Sequence, residues 1–176
     1  PSVPCLATVA LMNADKHPCR PKTLTMMGGP IDTREAPTAV NTLATERPFA
    51  WFKSNMIYTV PPPYPGVMRR VYPGFVQLAA FMSMNMDRHL HAHMGQSRAM
   101  VGGDDASARA HRQFYDEYGA IMDVYAAFYL DTVDQVFQRH TLPKGEMTWR
   151  GQAVDPSAIR RTALLTIEGE EDDITW

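Results

Sequence analysis

Arg161-Thr-Ala-Leu-Leu-Thr-Ile-Glu-Gly-Glu-Glu-Asp-Asp-Ile174 is the stretch that decides how this chain reads. Its apolar run, rich in strand-forming residues, breaks at Gly169 and delivers two adjacent aspartates, Asp172 and Asp173, shortly after. Hydrophobics that run on without alternation predict a strand over 163–167 buried on both faces of a parallel sheet, with functional groups at its carboxyl end. Taken alone, the run fits a strand followed by a solvated acidic turn; the rest of the chain gives it more weight.

At the other end, Val3 to Asn13 carries small and apolar residues almost all round, which predicts a helix packed closely on a sheet, with Ser2 as its N-cap and Pro4 in its first turn. Pro18 and Pro21 stop the helix, Lys22 to Met27 reads as a short strand, and Gly28-Gly-Pro30 leads to Asp32 at its carboxyl end. Helix, turn, strand and loop make a piece of a doubly wound α/β core.

The character changes between 36 and 158. Pro37 opens a short helix through Ala44, Phe49-Ala-Trp-Phe52 comes next, and Pro61-Pro-Pro-Tyr-Pro65 reads as a stiff irregular connection. One helix is expected from Phe75 into the Met- and His-rich segment, with Phe75, Leu78, Ala79 and Met82 at helical spacing. A second is expected from Gly102-Gly-Asp-Asp105 to about His140, with Phe114, Tyr118, Ile121, Tyr125, Phe128 and Val136 on its apolar face. Helices without intervening strands predict a cap. Thr148 to Val154 reads as a short β-excursion around Gly151, and Asp155-Pro-Ser157 caps one helical turn. The expected organisation is core over 1–35, a mainly helical cap over 36–158, and a core strand with its acidic loop over 159–176.

Composition narrows the function classes. With 45% hydrophobic and 20% charged residues the chain reads as an ordinary globular protein, and a net charge of −2 offers nucleic acid no electrostatic attraction. No apolar stretch is long enough to span a bilayer. Cys5 and Cys19 make no disulfide framework and lack metal-binding spacing, which fits a reducing compartment. The chain opens without Met and stops just past the acidic turn, and is expected to be an internal segment of a longer enzyme.

Several pieces together resemble the intracellular polyhydroxyalkanoate (polyhydroxybutyrate) depolymerases of the α/β-hydrolase superfamily, specifically their C-terminal part. They are Pro1-Ser-Val-Pro4, Met27-Gly-Gly-Pro-Ile-Asp-Thr-Arg34 with Pro37-Thr-Ala-Val-Asn41, Tyr72-Pro-Gly-Phe75 with Met84-Asn85, Phe114-Tyr-Asp-Glu-Tyr118, and Glu168-Gly-Glu-Glu-Asp-Asp-Ile174. The similarity runs over essentially the whole chain, and the Gly-Gly-Pro-Ile-Asp-Thr-Arg and Gly-Glu-Glu-Asp-Asp-Ile pieces are its specific parts. The resemblance implies a partial α/β-hydrolase fold, a doubly wound parallel sheet with a large helical cap insertion. It implies hydrolysis of polyester ester bonds by a nucleophile-Asp-His triad without a cofactor, acting on polymer or at the granule surface in the cytoplasm. The family nucleophile, a cysteine in its best-known members, sits on an elbow just before the Pro-Ser-Val-Pro stretch, and the triad His comes after the acid. The chain is therefore expected to hold the acid while nucleophile and base lie outside it. The nearest rival is a polyhydroxyalkanoate synthase-like acyltransferase, whose acid loop reads Asp-His-Ile where this chain has Asp-Asp-Ile; another is a non-catalytic granule-binding protein of the same fold.

Asp172 is the expected acid, orienting a His through its Nδ1, with Asp173 and Asp32 as alternatives. Asp32 also reads as a turn residue capping the next segment of the chain. Cys5, inside an apolar helix without an elbow, reads as a buried structural thiol, and Cys19 lies in a loop between prolines. In His89-Leu-His-Ala-His93 only His89 and His93 share a helical face, too few ligands for a metal, so the run reads as a solvated helix end and no metal is expected. Met26, Met27, Met56, Met82, Met84 and Met86 belong to a complement of 12 methionines that reads mainly as core filling. Trp51, Phe52 and Tyr64 are candidates for an adaptable apolar groove that holds a polyester chain.

Overall fold

The computed structural model describes residues 2–35 and 38–169, so Asp172 and Asp173 lie outside the described residues. The chain divides into two compact units, one of residues 1–51 with 130–176 and the other of residues 52–129.

In the first unit, helix α1 (Ser2–Ala14) is followed by strand β1 (Thr23–Met27), helix α2 (Ala39–Glu46) and the start of helix α3 (Phe49–Asn55). The end of helix α7 (Ala126–Thr132), a π-helical turn (Val133–Gln138), strands β5 (Thr148–Trp149) and β6 (Gln152–Ala153), a 3-10 turn (Pro156–Ala158) and strand β7 (Ala163–Ile167) complete it. β1 and β7 pair in parallel, with Thr23 opposite Ala163 and Met27 opposite Ile167. α1 is apolar nearly all round, yet it buries one face, where Val3, Leu6, Ala7 and Ala10 pack with Val136, Leu142 and Val154, and Leu24 and Met26 of β1 join them. Ala10 is fully buried in this cluster.

α1 runs antiparallel to the strands. At its carboxyl end the Asn13 side chain donates to Thr162 Oγ1 (3.1 Å) and accepts from the Arg161 N–H (3.2 Å), while Thr162 Oγ1 donates to the Pro21 carbonyl (2.7 Å). These bonds tie the helix end to the start of both strands. Arg150 and Gly151, both with positive φ (50° and 83°), make the tight turn joining β5 to β6, the hairpin expected around Gly151. Asp155 caps the 3-10 turn, accepting from Ser157 N–H (2.8 Å) and Ser157 Oγ (2.7 Å).

The expectation of a doubly buried β7 is corrected: Leu164, Leu165 and Ile167 are 48%, 55% and 48% exposed. Continuous hydrophobicity records what a strand prefers, whereas burial needs layers on both faces, and among the described residues β7 has β1 as its sheet neighbour.

The second unit is helical but contains strands. β2 (Tyr58–Thr59), β3 (Arg70–Tyr72) and β4 (Val124–Tyr125) form a three-stranded antiparallel sheet, which corrects the reading of this region as free of strands. Helices α4 (Gly74–Met84) and α5 (Met86–Gly102) are separate, because Asn85 leaves helical geometry (φ −132°, ψ 43°). The second expected helix is also interrupted. α6 (Asp105–Gly119) starts with the Asp104 carboxylate accepting from Ser107 N–H (3.1 Å) and stops before Asp123, whose carboxylate accepts from Gly74 N–H (2.8 Å). That bond and the pairing of β4 with β3 draw the backbone out of the helix where apolar spacing alone would have continued it. Tyr72 and Tyr129 stack with ring centroids 4.0 Å apart, and burial raises the pKa of both phenols.

Candidate functional site

Because β1 and β7 are parallel, their carboxyl ends lie side by side, and the amino end of α1 joins them. Gly28 N–H donates to the Ile167 carbonyl (2.9 Å), so the loop leaving β1 is bound to the end of β7, two residues before Gly169. Gly28 takes a left-handed conformation (φ 52°) that suits glycine at this sharp exit. The next residue abuts Ser2, in the first turn of α1: a Cβ on Gly29 would collide with Ser2 Oγ and lie 2.7 Å from Ser2 Cβ. Two adjacent glycines thus let the loop turn and then touch the helix.

The rest of the loop is pinned by its side chains. Ile31 packs on the core. The Arg34 guanidinium donates from Nε to Asp32 Oδ1 (2.8 Å) and from Nη2 to Asp32 Oδ2 (2.6 Å), and Asp32 Oδ1 also accepts the Arg34 N–H (3.2 Å). The hydrogen bonds from Arg34 hold the Asp32 carboxyl below its ordinary pKa. Asp32, a candidate acid, is here a turn residue with both oxygens engaged. Thr33 is 5% exposed; its hydroxyl lies 3.3 Å from the Val136 carbonyl and 3.1 Å from His140 Nδ1, and its own carbonyl accepts from Asn41 Nδ2 (3.1 Å). Burial pushes the His140 imidazole below its ordinary pKa, with Lys144 and Arg34 acting the same way and Asp32 opposing.

His140 had no signal in the sequence, since it stands alone far along the chain. Thr33 and Asn41 did lie within family-like pieces, but only tertiary structure brings the three together.

Asp172 and Asp173 fall outside the described residues, while the strand that leads to them ends at the junction of β1, β7 and α1. Cys5 is an exposed free thiol, which corrects its reading as buried: on α1 the buried positions are Val3, Leu6, Ala7, Val9 and Ala10. Cys19 is exposed as well. Trp51 is half-buried, with the Arg47 guanidinium 5.4 Å from its ring centroid. Phe52 is 3% exposed and is a packing residue, whereas Tyr64 is 63% exposed. None of the six methionines read as core filling is buried; Met27 and Met86 are 72% and 55% exposed.

The histidine run lies within α5, with His91 and His93 exposed as expected of a solvated segment and His89 half-buried. His89 Nδ1 is 2.8 Å from the Tyr115 hydroxyl of α6, and the His93 ring is tilted against Tyr115 and His111, with centroids 4.4 and 5.0 Å apart. His91 turns back to the Asp87 carbonyl (2.7 Å). Among the described residues no group of three or more His, Cys, Asp or Glu side chains is arranged to hold a metal ion, and no helix is long and apolar enough to cross a membrane.

No curated protein and no solved structure matches the chain. A family model described as PHB de-polymerase C-terminus matches residues 28–176, beginning at the glycine pair of the loop and leaving α1 outside the matched span. The chain belongs to the family of PHB depolymerase C-terminal domains.

Proposed function

We propose that this chain is the acid-bearing part of an intracellular poly(3-hydroxyalkanoate) depolymerase of the α/β-hydrolase fold, in which Asp172 is the acid of a nucleophile-Asp-His triad. The observation that carries the reading is the meeting of three element ends: Met27 and Ile167 side by side, Gly28 bonded to Ile167, and Gly29 against Ser2. In such a fold the nucleophile elbow leads directly into a helix and the acid comes after a late parallel strand, so elbow and acid loop meet where helix amino end and strand carboxyl ends meet. The meeting of the amino end of α1 with the carboxyl end of β7 supports this reading, as does Gly169, two residues past the end of β7 and ahead of Asp172.

In this mechanism a thiol or hydroxyl nucleophile attacks a 3-hydroxyacyl ester, the His takes the nucleophile's proton and returns it to the leaving alkoxide, and water resolves the acyl-enzyme. Asp172 accepts from Nδ1 of that His and stabilises the imidazolium. Every histidine of this chain precedes Asp172, so by the order of triad members the base and nucleophile come from residues other than these 176.

The test uses the complete polypeptide that carries residues 1–176, assayed for release of soluble 3-hydroxyacids from amorphous polymer. Asp172→Asn is expected to keep the fold and lower kcat by a factor on the order of 10⁴, the size seen when a triad His is left in the wrong tautomer. Asp173→Asn is expected to cost far less. A crippled Asp173→Asn moves the role to Asp173, and full activity in both leaves Asp32 as the acid. Faster acyl transfer from coenzyme A thioesters than polymer hydrolysis identifies the synthase-like alternative, and absence of both activities leaves the non-catalytic binding protein.

A further inference from the structure

We infer that His140 is a positioning residue that holds the Gly28–Arg34 loop in register at the carboxyl ends of β1 and β7, an inference that rests on the functional reading above. Three buried polar residues from separate parts of the first unit converge: Thr33 in the loop, Asn41 on α2 and His140 after the π-helical turn are 5%, 8% and 8% exposed. The Thr33 hydroxyl carries one hydrogen and has two neighbours, the Val136 carbonyl at 3.3 Å and His140 Nδ1 at 3.1 Å. A carbonyl only accepts, and with the hydroxyl hydrogen on Val136 all three groups are satisfied when His140 donates from Nδ1. On that ground we assign His140 the Nδ1–H tautomer. Burial lowers its pKa, with Lys144 and Arg34 acting the same way and Asp32 and the Val136 carbonyl opposing.

His140 stands in a left-handed conformation (φ 55°), uncommon for a residue with a Cβ, and the neighbouring Thr141 is 1% exposed with its N–H on the Gln135 carbonyl (2.8 Å). The turn is thus fixed by its own packing, and the imidazole is aimed at Thr33 from a rigid base. Thr33 lies between Asp32 and Arg34, so the His140 bond sets the position of that ion pair and, through Pro30 and Ile31, of the glycine pair touching β7 and α1. A histidine that merely filled space would have no such reach: it grips the hydroxyl of a loop that meets both site-forming elements. Small displacements near reacting groups cost rate steeply, up to about 100-fold for 1 Å.

The experiment uses the complete polypeptide carrying residues 1–176, with amorphous polymer and a soluble 3-hydroxybutyrate oligomer as substrates. His140→Leu is expected to lower kcat by about 10- to 100-fold with KM changed less than about twofold. His140→Asn, which accepts left-handed backbone and can donate from Nδ2, is expected to recover kcat to within about threefold of the parent. Thr33→Val removes the acceptor, and the double variant Thr33→Val with His140→Leu is expected to be no slower than the slower single one. In nitrogen NMR of the parent, His140 is expected to show protonated Nδ1 and bare Nε2 at neutral pH. Additive losses in the double variant, or full kcat in folded His140→Leu, would overturn the inference; so would an Nε2–H tautomer. Should His140→Leu fail to fold, Thr33→Val decides by the same kcat criterion. Asp172→Asn runs alongside: a parent without hydrolytic turnover sinks the functional reading, whereas an active, Asp172-dependent parent indifferent to Thr33 and His140 sinks only this one.

Discussion

Gly29→Ala tests the meeting of loop and helix on which the site is built. The new Cβ would overlap Ser2 Oγ and stand 2.7 Å from Ser2 Cβ, about 1 Å inside the ordinary separation of non-bonded carbons. Rotation about χ1 moves the Ser2 hydroxyl away but leaves Cβ in place, so the loop or the helix end must shift. Overpacking of this kind costs about 1–3 kcal/mol, and a carbon–carbon overlap of this size belongs in the upper half of that range. The Ser2 Cα lies 3.9 Å from the new Cβ, ordinary contact, so Ser2→Gly removes the obstruction. Ser2→Ala removes only the hydroxyl. Urea unfolding of the variants, tracked by tryptophan fluorescence, should give a coupling energy near 2 kcal/mol between Gly29→Ala and Ser2→Gly, and well under half of that with Ser2→Ala. A Gly29→Ala protein within about 0.5 kcal/mol of the parent, or rescue by Ser2→Ala as complete as by Ser2→Gly, would refute the proposed contact.

Gly74→Ala should destabilise the protein by about 2–3 kcal/mol, because its Cβ would press on the Ile121 carbonyl oxygen and lie 3.1 Å from the Ile121 carbonyl carbon, backbone atoms that cannot rotate away; a chemical denaturation midpoint equal to the parent's would contradict this. Asp123→Ala should cost about 1.5 kcal/mol or more by unpairing the Gly74 N–H, and Asp123→Asn should cost less, since its amide oxygen can still accept. Tyr72 and Tyr129 have raised folded-state pKa values, so the folded protein holds their protons longer than the unfolded chain. Their contribution is complete below the unfolded phenol value of about 10 and declines as pH rises through it; phenolate absorbance should show Tyr72 and Tyr129 ionising at higher pH in the folded protein than in the unfolded chain.

What the sequence revealed and what it withheld separate by the range of the interactions. The strands at 23–27 and 163–167, the β-excursion around Gly151 and the cap at Asp155 rest on neighbouring residues and were legible. The break between α6 and α7 was not, because Asp123 leaves the helical pattern to bond with Gly74, 49 positions away. His89 and His93 read as solvated, and His93 is exposed, but their ring contacts with Tyr115 and His111 of α6 had no local signal. Gly28-Gly29 was legible as a break; the reason for two glycines was not, since Ser2 is 27 positions away. The Thr33–His140 pair spans 107 positions and rests on no local pattern at all.

Both faces of β7 are exposed, Leu164 on one and Leu165 with Ile167 on the other, and this bears on how stability and activity are linked. Leu164, Leu165 and Ile167 each keep about half their surface in water, and complete burial of such a side chain is worth about 1.5–3 kcal/mol. Covering the three would therefore stabilise the protein by on the order of 3 kcal/mol. In the proposed enzyme, these faces are covered by helices of the rest of the α/β core, whose strands also deliver the nucleophile elbow to the amino end of α1. One docking event would then complete both the core and the triad. A polar substitution at Leu165, whose side chain is in neither the triad nor the Gly28–Arg34 loop, should lower stability and turnover together in the complete enzyme, with polymer and soluble oligomer affected equally. Loss of turnover on polymer alone would show instead that the Leu165 face contacts substrate.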